Sequence, residues 1–225
     1  ALSLESCKRM VDASKNSGAY LMIGQCCRFN KSVAEVKKYI DSGIYGKVYR
    51  ADFHRYSQTP LWTWNNWILD PEMSGGCIID MHVHDTDLIN YLFGTPASVH
   101  SVMTEQKVPR ESIFSQFIMP DGAVILANAD WSLPQKLSFK EGATICFEKA
   151  CVRFTSTKFE VFTDDEAITV DVSGDDGYIL EMREFLRCIS EKDTSPVTSA
   201  ESVMESIRIA LCELESAQTG KKVIL

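Results

Sequence analysis

The sequence lacks the features that mark several large classes of protein. Lys and Arg number 23 against 31 Asp and Glu, which gives a net charge of −8 and a pI of about 5.1. An acidic chain without a basic cluster is poorly suited to polyanions, so we expect no nucleic-acid partner. Apolar runs are far shorter than a membrane span, and no signal-peptide pattern is present. We therefore expect a cytoplasmic protein without a membrane partner.

Cysteine is plentiful, but its spacing lacks the pattern of a metal or redox motif. The eight cysteines are scattered among apolar neighbours, no C-x-x-C occurs, and the only close pair is the adjacent Cys26–Cys27. In a chain of 225 residues with 45% apolar content, a hydrophobic core does not need disulfide support. We interpret the cysteines as free, mostly buried thiols in a reducing compartment.

The first 27 residues predict one helix and one strand. Ser3 is a suitable N-cap, Gly18 is a suitable C-terminal stop, and the apolar positions between them follow helical spacing. The unbroken apolar run AYLMIGQCC then predicts a strand buried on both faces. Because a parallel sheet needs several strands, and because the chain opens without an initiator Met, we expect this to be the remnant of a larger α/β layer.

The remainder of the chain predicts an α+β domain. Short β-type segments between Ala97 and Val172 alternate with turn signals such as Pro120-Asp121-Gly122, which favours a large open, mostly antiparallel sheet. Amphipathic segments before and after this region predict helices that cover one face of the sheet. The predicted domains are residues 1–28, the α/β remnant, and residues 29–225, the α+β domain.

The segment SGGCIIDMHVHDTDLINYLFG, residues 74–94, concentrates the polar residues with chemical potential. If it were a strand, His82 and His84 would share a face and could chelate one metal ion, as in metal-dependent hydrolases. That hypothesis lacks further ligands, because only His100 follows, and the downstream strands do not alternate with helices as a barrel requires.

If the same segment is a helix, from about Gly75 to Phe93, Asp80 and His84 lie one turn apart on one face. An Asp in that position can hydrogen-bond the imidazole, fix its tautomer and raise its pKa, which would make His84 a base near neutral pH. The same spacing also suits a solvated pair that merely stabilises a surface helix. Spacing alone leaves both interpretations open.

The segment resembles the G-G-x-x-x-D-x-x-x-H-x-x-D motif of the glucose–fructose oxidoreductase/inositol dehydrogenase (Gfo/Idh/MocA) family. The stretches GQCCRFNKSVAEVKKYIDSGIYGKV and LESAQTGKKVIL are also similar to that family, in the same order. The resemblance implies a dehydrogenase that moves a hydride between NAD or NADP and a hydroxyl carbon of a sugar-like or polyol substrate. It also implies a homo-oligomer that assembles through the large sheet.

Matched by position, the resemblance implies that His84 is the base and that Asp80 orients it or bonds a neighbouring hydroxyl. It further implies substrate contacts from Cys27, Arg28, Trp64 and Trp67. The family's E-K-P lysine and the G-x-G-x-x-G fingerprint are absent from this sequence. We therefore expect that this chain alone binds neither NAD nor NADP and is inactive. A non-catalytic stand-alone binding or oligomerisation domain is the alternative.

Overall fold

A single open sheet organises the structure, a computed structural model that describes residues 1–193 and 196–225. The sheet has nine strands in the order β8-β7-β6-β5-β1-β4-β3-β2-β9. The central pair β1–β4 is parallel and the other pairs are antiparallel, which confirms the predicted fold class. The strands are β1 (Val48–Gln58), β2 (Ser98–Val102), β3 (Ser112–Ile118), β4 (Val124–Leu133), β5 (Lys140–Phe147), β6 (Cys151–Phe154), β7 (Phe159–Phe162), β8 (Ala167–Thr169) and β9 (Val223–Ile224).

The helices lie before, between and after the strands. The first helix is bounded at both ends as the sequence predicts: the Ser3 hydroxyl accepts from the Ser6 amide at 3.2 Å, and Gly18 ends the helix with φ +69°. The α-helices are α1 (Leu4–Ser17), α2 (Lys31–Ser42), α3 (Pro71–Ser74), α4 (Val83–Phe93), α5 (Gly177–Glu191) and α6 (Ala200–Thr219). Within residues 1–193 and 196–225, no helix combines the length and hydropathy that a bilayer crossing requires.

The core lies between the sheet and helices α2, α4 and α6. Alternation along the strands sends one set of side chains inward, such as Ala51 and Phe53 of β1 and Ile125 of β4. Val36 of α2 and Ile89 of α4 meet them and are fully buried. The opposite face of the sheet carries no helix among the described residues, as the prediction of helices on one face requires.

Two features differ from the sequence predictions. The run AYLMIGQCC forms no strand, because a buried strand needs neighbours for its backbone groups and none of the described strands pairs with it. Helix α5 forms as predicted, but its apolar stripe is exposed rather than packed: Ile179 is 45%, Met182 55% and Leu186 61% exposed. No described residue of this chain packs over these side chains closely enough to bury them.

Candidate active site

A widened helical turn forms the centre of the site. The predicted helix over residues 75–93 is present, but Ile78–His82 form a π-turn that continues directly into α4. Gly76 starts it with φ +72°, and a Cβ atom there would lie 2.5 Å from the Arg110 Cβ. The Cys77 amide donates to the Arg110 carbonyl at 2.9 Å, which fixes the start of this turn. π-Turns of this kind occur often at functional sites.

His82 points into the core, away from the candidate pocket. Its Nε2 lies 2.7 Å from Oε1 of Glu213, and both side chains are fully buried. Glu213 also accepts from Thr86 Oγ1 at 2.7 Å and from Ser115 Oγ at 2.6 Å. His82 and His84 therefore face different environments and do not chelate one ion here. Among the described residues, no cluster of three or more His, Cys, Asp or Glu side chains could hold a metal.

His84 faces the pocket, and its ring is oriented by Gln25. The His84 Nδ1 lies 3.1 Å from the Gln25 Oε1. An amide oxygen only accepts, so Nδ1 carries the proton and Nε2 of the neutral ring has the lone pair. Burial lowers the pKa of His84, but the neighbouring Cys27 thiol and Asp85 outweigh this effect, so the pKa lies above its usual value. The result is an imidazole with a defined tautomer.

Asp80 lies beside His84 but interacts with it through charge. Burial raises the pKa of the Asp80 carboxyl, and the nearby His84 partly offsets the rise. Because Gln25 occupies the Nδ1 position, the hydrogen bond from the imidazole goes to an amide rather than to Asp80. Asp80 lines both cavities that flank the turn, so its carboxylate is placed to meet a ligand.

Cys27 lies in the wall of the same pocket. Its sulfur is 3.9 Å from Arg55 Nη2, and its thiol also contacts the His84 imidazole. The hydrogen bond with Cys26 and burial raise the pKa of Cys27, so it stays a neutral thiol. The same bond lowers the pKa of Cys26 to about 7.

Two buried ion pairs anchor α4, the helix that carries His84, to the rest of the chain. Arg55 of β1 contacts Asp85 at 2.8 and 3.2 Å, and Arg28 forms a two-pronged pair with Asp87 at 2.7 Å for both bonds. Arg28 also donates to the Val197 carbonyl at 2.8 Å, and its side chain is 1% exposed. Its guanidinium therefore faces Asp87 and the chain interior, and it does not line the pocket described next.

The first of two cavities beside His84 has a volume of about 510 Å³ and lies between the π-turn and the sheet. Aromatic side chains supply much of its wall. Two of its lining residues, Trp131 and Gln58, each carry a buried polar atom without a partner among the described residues, Nε1 and Oε1 respectively. Such atoms are costly to bury unless a ligand or water satisfies them. The lining residues are Cys26, Cys27, Arg55, Ser57, Gln58, Pro60, Trp62, Ile68, Asp80, Met81, His84, Trp131, Phe139 and Tyr178.

A second cavity, of about 390 Å³, lies on the other side of Asp80 and His84. Trp67 lines this second cavity rather than the first. Trp64 lines neither and is 79% exposed. Of the two tryptophans proposed as substrate contacts, the structure therefore brings only Trp67 near the pair Asp80 and His84.

Three site residues were missed by the sequence reasoning. Gln25, Arg55 and Trp131 carried no motif, but Arg55 did leave a signal in the sequence. It occupies the inward register of Ala51 and Phe53 on β1, and a charge on a core-facing strand position needs a buried partner. Gln25 and Trp131 left no such signal.

Comparison with known proteins identifies the family. Residues 33–179, more than half of the chain, match the protein family described as "GFO/IDH/MocA C-terminal domain". The chain belongs to this family. The resemblance seen in the motif around Asp80 and His84 is thereby confirmed.

Two dehydrogenases and one oxidoreductase illustrate the similarity to individual relatives. The scyllo-inositol 2-dehydrogenase (NAD(+)) of Bacillus subtilis is 31% identical over 57% of this chain and 36% of its own length. The myo-inositol 2-dehydrogenase of Thermotoga maritima is 22% identical over all of this chain and 70% of its own. The aldose-aldose oxidoreductase of Caulobacter crescentus, solved with glycerol, superposes with a TM-score of 0.88 at 19% identity, over all of this chain and 70% of that one. The chain thus spans about a third to two thirds of these relatives.

Proposed function

We propose that this chain is the substrate-binding and proton-transfer part of an NAD(P)-dependent dehydrogenase that oxidises a hydroxyl group of a sugar or cyclitol. The observation that carries the proposal is the His84 tautomer: Gln25 holds the Nδ1 proton, so Nε2 has the lone pair. The ring lines the same cavity as Asp80. This arrangement suits removal of a hydroxyl proton at near-neutral pH.

The pocket is matched to a neutral polyol. The aromatic walls from Trp62, Phe139 and Tyr178 suit the C–H faces of a ring, and the side chains of Ser57 and Asp80 in the same lining suit hydroxyl groups. Arg55 is already neutralised by Asp85. The relatives act, by their names, on inositols, aldoses and glucosides. We place the substrate in this cavity, with Cys27 in its wall and Trp67 beyond Asp80.

We infer that the described residues do not by themselves form a nicotinamide dinucleotide site. Such a site needs a glycine-rich turn between a strand and a helix of a parallel βαβ unit. The sequence has no G-x-G-x-x-G. Among the described strands, only β1 and β4 pair in parallel, and they lie in the middle of the open sheet. We therefore assign the proton step to Asp80 and His84 and assign cofactor binding to residues outside this chain. On this proposal, the chain alone turns over no substrate.

The exposed stripe of α5 and the open face of the sheet fit this division. Ile179, Met182 and Leu186 form an apolar surface that a further domain would cover. We also propose that two copies pair through the uncovered face of the sheet. Light scattering tests this second proposal, and a monomer at micromolar concentration would contradict it.

Titration of the His84 ring during ligand addition tests the main proposal. The nuclear magnetic resonance signal of the His84 imidazole is followed while myo-inositol, glucose or glycerol is added. We expect saturable shifts with at least one cyclic polyol, and a weaker effect in Trp62→Ala, which removes part of the aromatic wall of the cavity. The titration ends at about 0.1 M polyol, which is 100-fold above a dissociation constant of about 1 mM. If no neutral polyol shifts the signal at that concentration, the pocket assignment is wrong.

A catalytic assay separates the two halves of the proposal. The chain alone is mixed with each polyol and with NAD or NADP, and absorbance of the reduced cofactor is followed. We expect no turnover. Turnover by the chain alone, removed by His84→Asn, would keep His84 as the base but overturn our assignment of cofactor binding.

A further inference from the structure

A pair of cysteines faces each other across the hairpin of β5 and β6. Cys146 and Cys151 are direct register partners, and their sulfur atoms lie 3.7 Å apart. The Phe147 amide donates to the Ala150 carbonyl at 2.8 Å, so the 147/150 pair is hydrogen-bonded. By the alternation of an antiparallel ladder, the 146/151 pair is not, and its Cα atoms are about 4.5 Å apart in the usual geometry. That separation is within the range of disulfides.

The pair lies on the open face of the sheet, outside the candidate active site. Its chain neighbours Ile145 and Val152 are buried on the helical side, so Cys146 and Cys151 point the other way, and both are partly exposed. Arg50 is the register partner of Cys146 on β1. The mechanism proposed above uses none of these groups.

The Cys151 thiol of this pair has a raised pKa. Burial, together with the hydrogen bond to Cys146, raises the pKa of Cys151 to about 11, although Arg50 and Arg153 lower it. Cys151 therefore keeps its proton near neutral pH. Either sulfur can donate the hydrogen bond between them. Because Cys151 keeps its proton, we write the first attack at Cys146.

We propose that Cys146 and Cys151 form a reversible disulfide site that exchanges with a small disulfide of the glutathione class. The Cys146 thiolate attacks one sulfur of glutathione disulfide, whose S–S bond breaks, and one glutathione leaves and takes up a proton. Cys151 then gives its proton to solvent and attacks the Cys146 sulfur, and the second glutathione leaves. Two protein thiols are oxidised by two electrons, and glutathione disulfide is reduced to two thiols.

The site is built to be reversible rather than structural. Only four residues separate the two cysteines, so ring closure removes little entropy from the unfolded chain. Both thiols are partly exposed in the single chain, so a small thiol reaches the bond while this face of the sheet is unpaired, and the pairing of two copies over this face would slow the exchange. Exposed disulfides are the readily reduced ones. We expect the pair to be reduced in a reducing compartment and to close under oxidising conditions.

Equilibration in glutathione buffers tests the proposal. The full chain is brought to equilibrium from both the oxidised and the reduced side, so that access affects the rate but not the end point. It is then quenched with acid, alkylated and analysed by intact mass and peptide mapping. We expect loss of two hydrogens in a peptide linking Cys146 to Cys151. For this two-electron couple, the equilibrium depends on the concentration of glutathione disulfide divided by the square of the glutathione concentration. The oxidised fraction of the protein should rise from about a tenth to nine-tenths as this quotient increases about a hundred-fold.

Variants make the assignment specific. Cys146→Ser and Cys151→Ser should each abolish the species, whereas Cys212→Ser should leave it unchanged. Three results would overturn the proposal: wild-type protein with no disulfide at any ratio, a disulfide between other cysteines, or a glutathione adduct on Cys146 that persists without closure. Mapping of the wild-type protein alone decides between these results, even if a variant folds poorly.

Discussion

Removal of the Asp87 carboxylate should destabilise this chain more than removal of almost any surface charge. Asp87 accepts three hydrogen bonds of 2.7 Å, two from Arg28 and one from the Ser206 hydroxyl. The side chains of Asp87 and Arg28 are each 1% exposed. In Asp87→Ala, the guanidinium of Arg28 would stay buried without its counter-charge.

The structure sets the size of this effect. Breaking a buried ion pair by removing one partner costs about 3 to 5 kcal/mol, since the remaining charge is uncompensated. Arg28 keeps its bond to the Val197 carbonyl, which offsets only part of this loss. We therefore expect about 3 to 5 kcal/mol, a large share of the 5 to 15 kcal/mol that stabilises a typical domain.

Urea unfolding followed by circular dichroism measures the free energy of unfolding. With an m-value of about 3 kcal/mol/M, the expected loss moves the midpoint down by about 1 to 2 M. Glu160→Ala is a matched control, because Arg153 also binds Glu160 through two nitrogens, at 2.9 and 3.1 Å, but the Arg153 side chain is 59% exposed. We expect the control to cost less than about 1 kcal/mol.

A loss below about 1 kcal/mol in Asp87→Ala would refute the reasoning, because the pair would then be no more than a surface contact. The double variant Arg28→Met/Asp87→Leu removes both charges and should recover most of the stability. The double variant also tests the prediction that Arg28 contacts substrate. If the variant is stable but no longer binds polyols, Arg28 acts on the ligand. If binding remains, Arg28 acts only through the fold.

Two further changes probe the same turn. Burial lowers the pKa of His82, but Glu213 raises it more, so protonated His82 stabilises the fold below about pH 6.5 and this contribution is lost as pH rises through the raised folded pKa. In Glu213→Gln, we expect lower stability and loss of that pH dependence in urea titrations between about pH 6 and 9; an unchanged profile would contradict the assignment. Gly76→Ala should cost about 2 kcal/mol or more, because its Cβ would clash with Arg110, whereas Gly122→Ala, at φ +92° in open space, should cost about 1 to 2 kcal/mol in thermal unfolding. Equal losses would show that the clash is relieved.

Local patterns were enough to predict most of the elements. The N-cap Ser3, the stop at Gly18 and the turn at Pro120-Asp121-Gly122 are read from neighbouring residues, and the structure has an element boundary at each. The strand predicted after Gly18 was wrong for a related reason. Its existence depends on partner strands, and residues 19–27 cannot show whether those partners are present.

The chemistry of the site was less predictable, because it depends on contacts between distant residues. Asp80 and His84 were singled out by their spacing of four together with the family resemblance of their motif. Their surroundings were not: Gln25 lies 59 positions from His84, and Glu213 lies 131 positions from His82. The π-turn is a further case, because its helical pattern in sequence is that of an ordinary α-helix.

The polar residues of the segment 74–94 divide by the side of the turn on which they lie. His82, Asp85 and Asp87 each have a buried partner, in Glu213, Arg55 and Arg28 respectively, and none of the three lines either cavity.

Buried ion pairs of this kind often add little net stability compared with apolar packing, but they do fix orientation, since each bond tolerates only one geometry. The ion pairs of His82, Asp85 and Asp87 together oppose rotation of this helical segment about its axis. Asp80 and His84, the titratable residues of the segment that do line the cavities, are thereby directed at them. On the function proposed above, the polar residues of this stretch have two tasks: His82, Asp85 and Asp87 fix the orientation of the helix, and Asp80 and His84 meet the substrate.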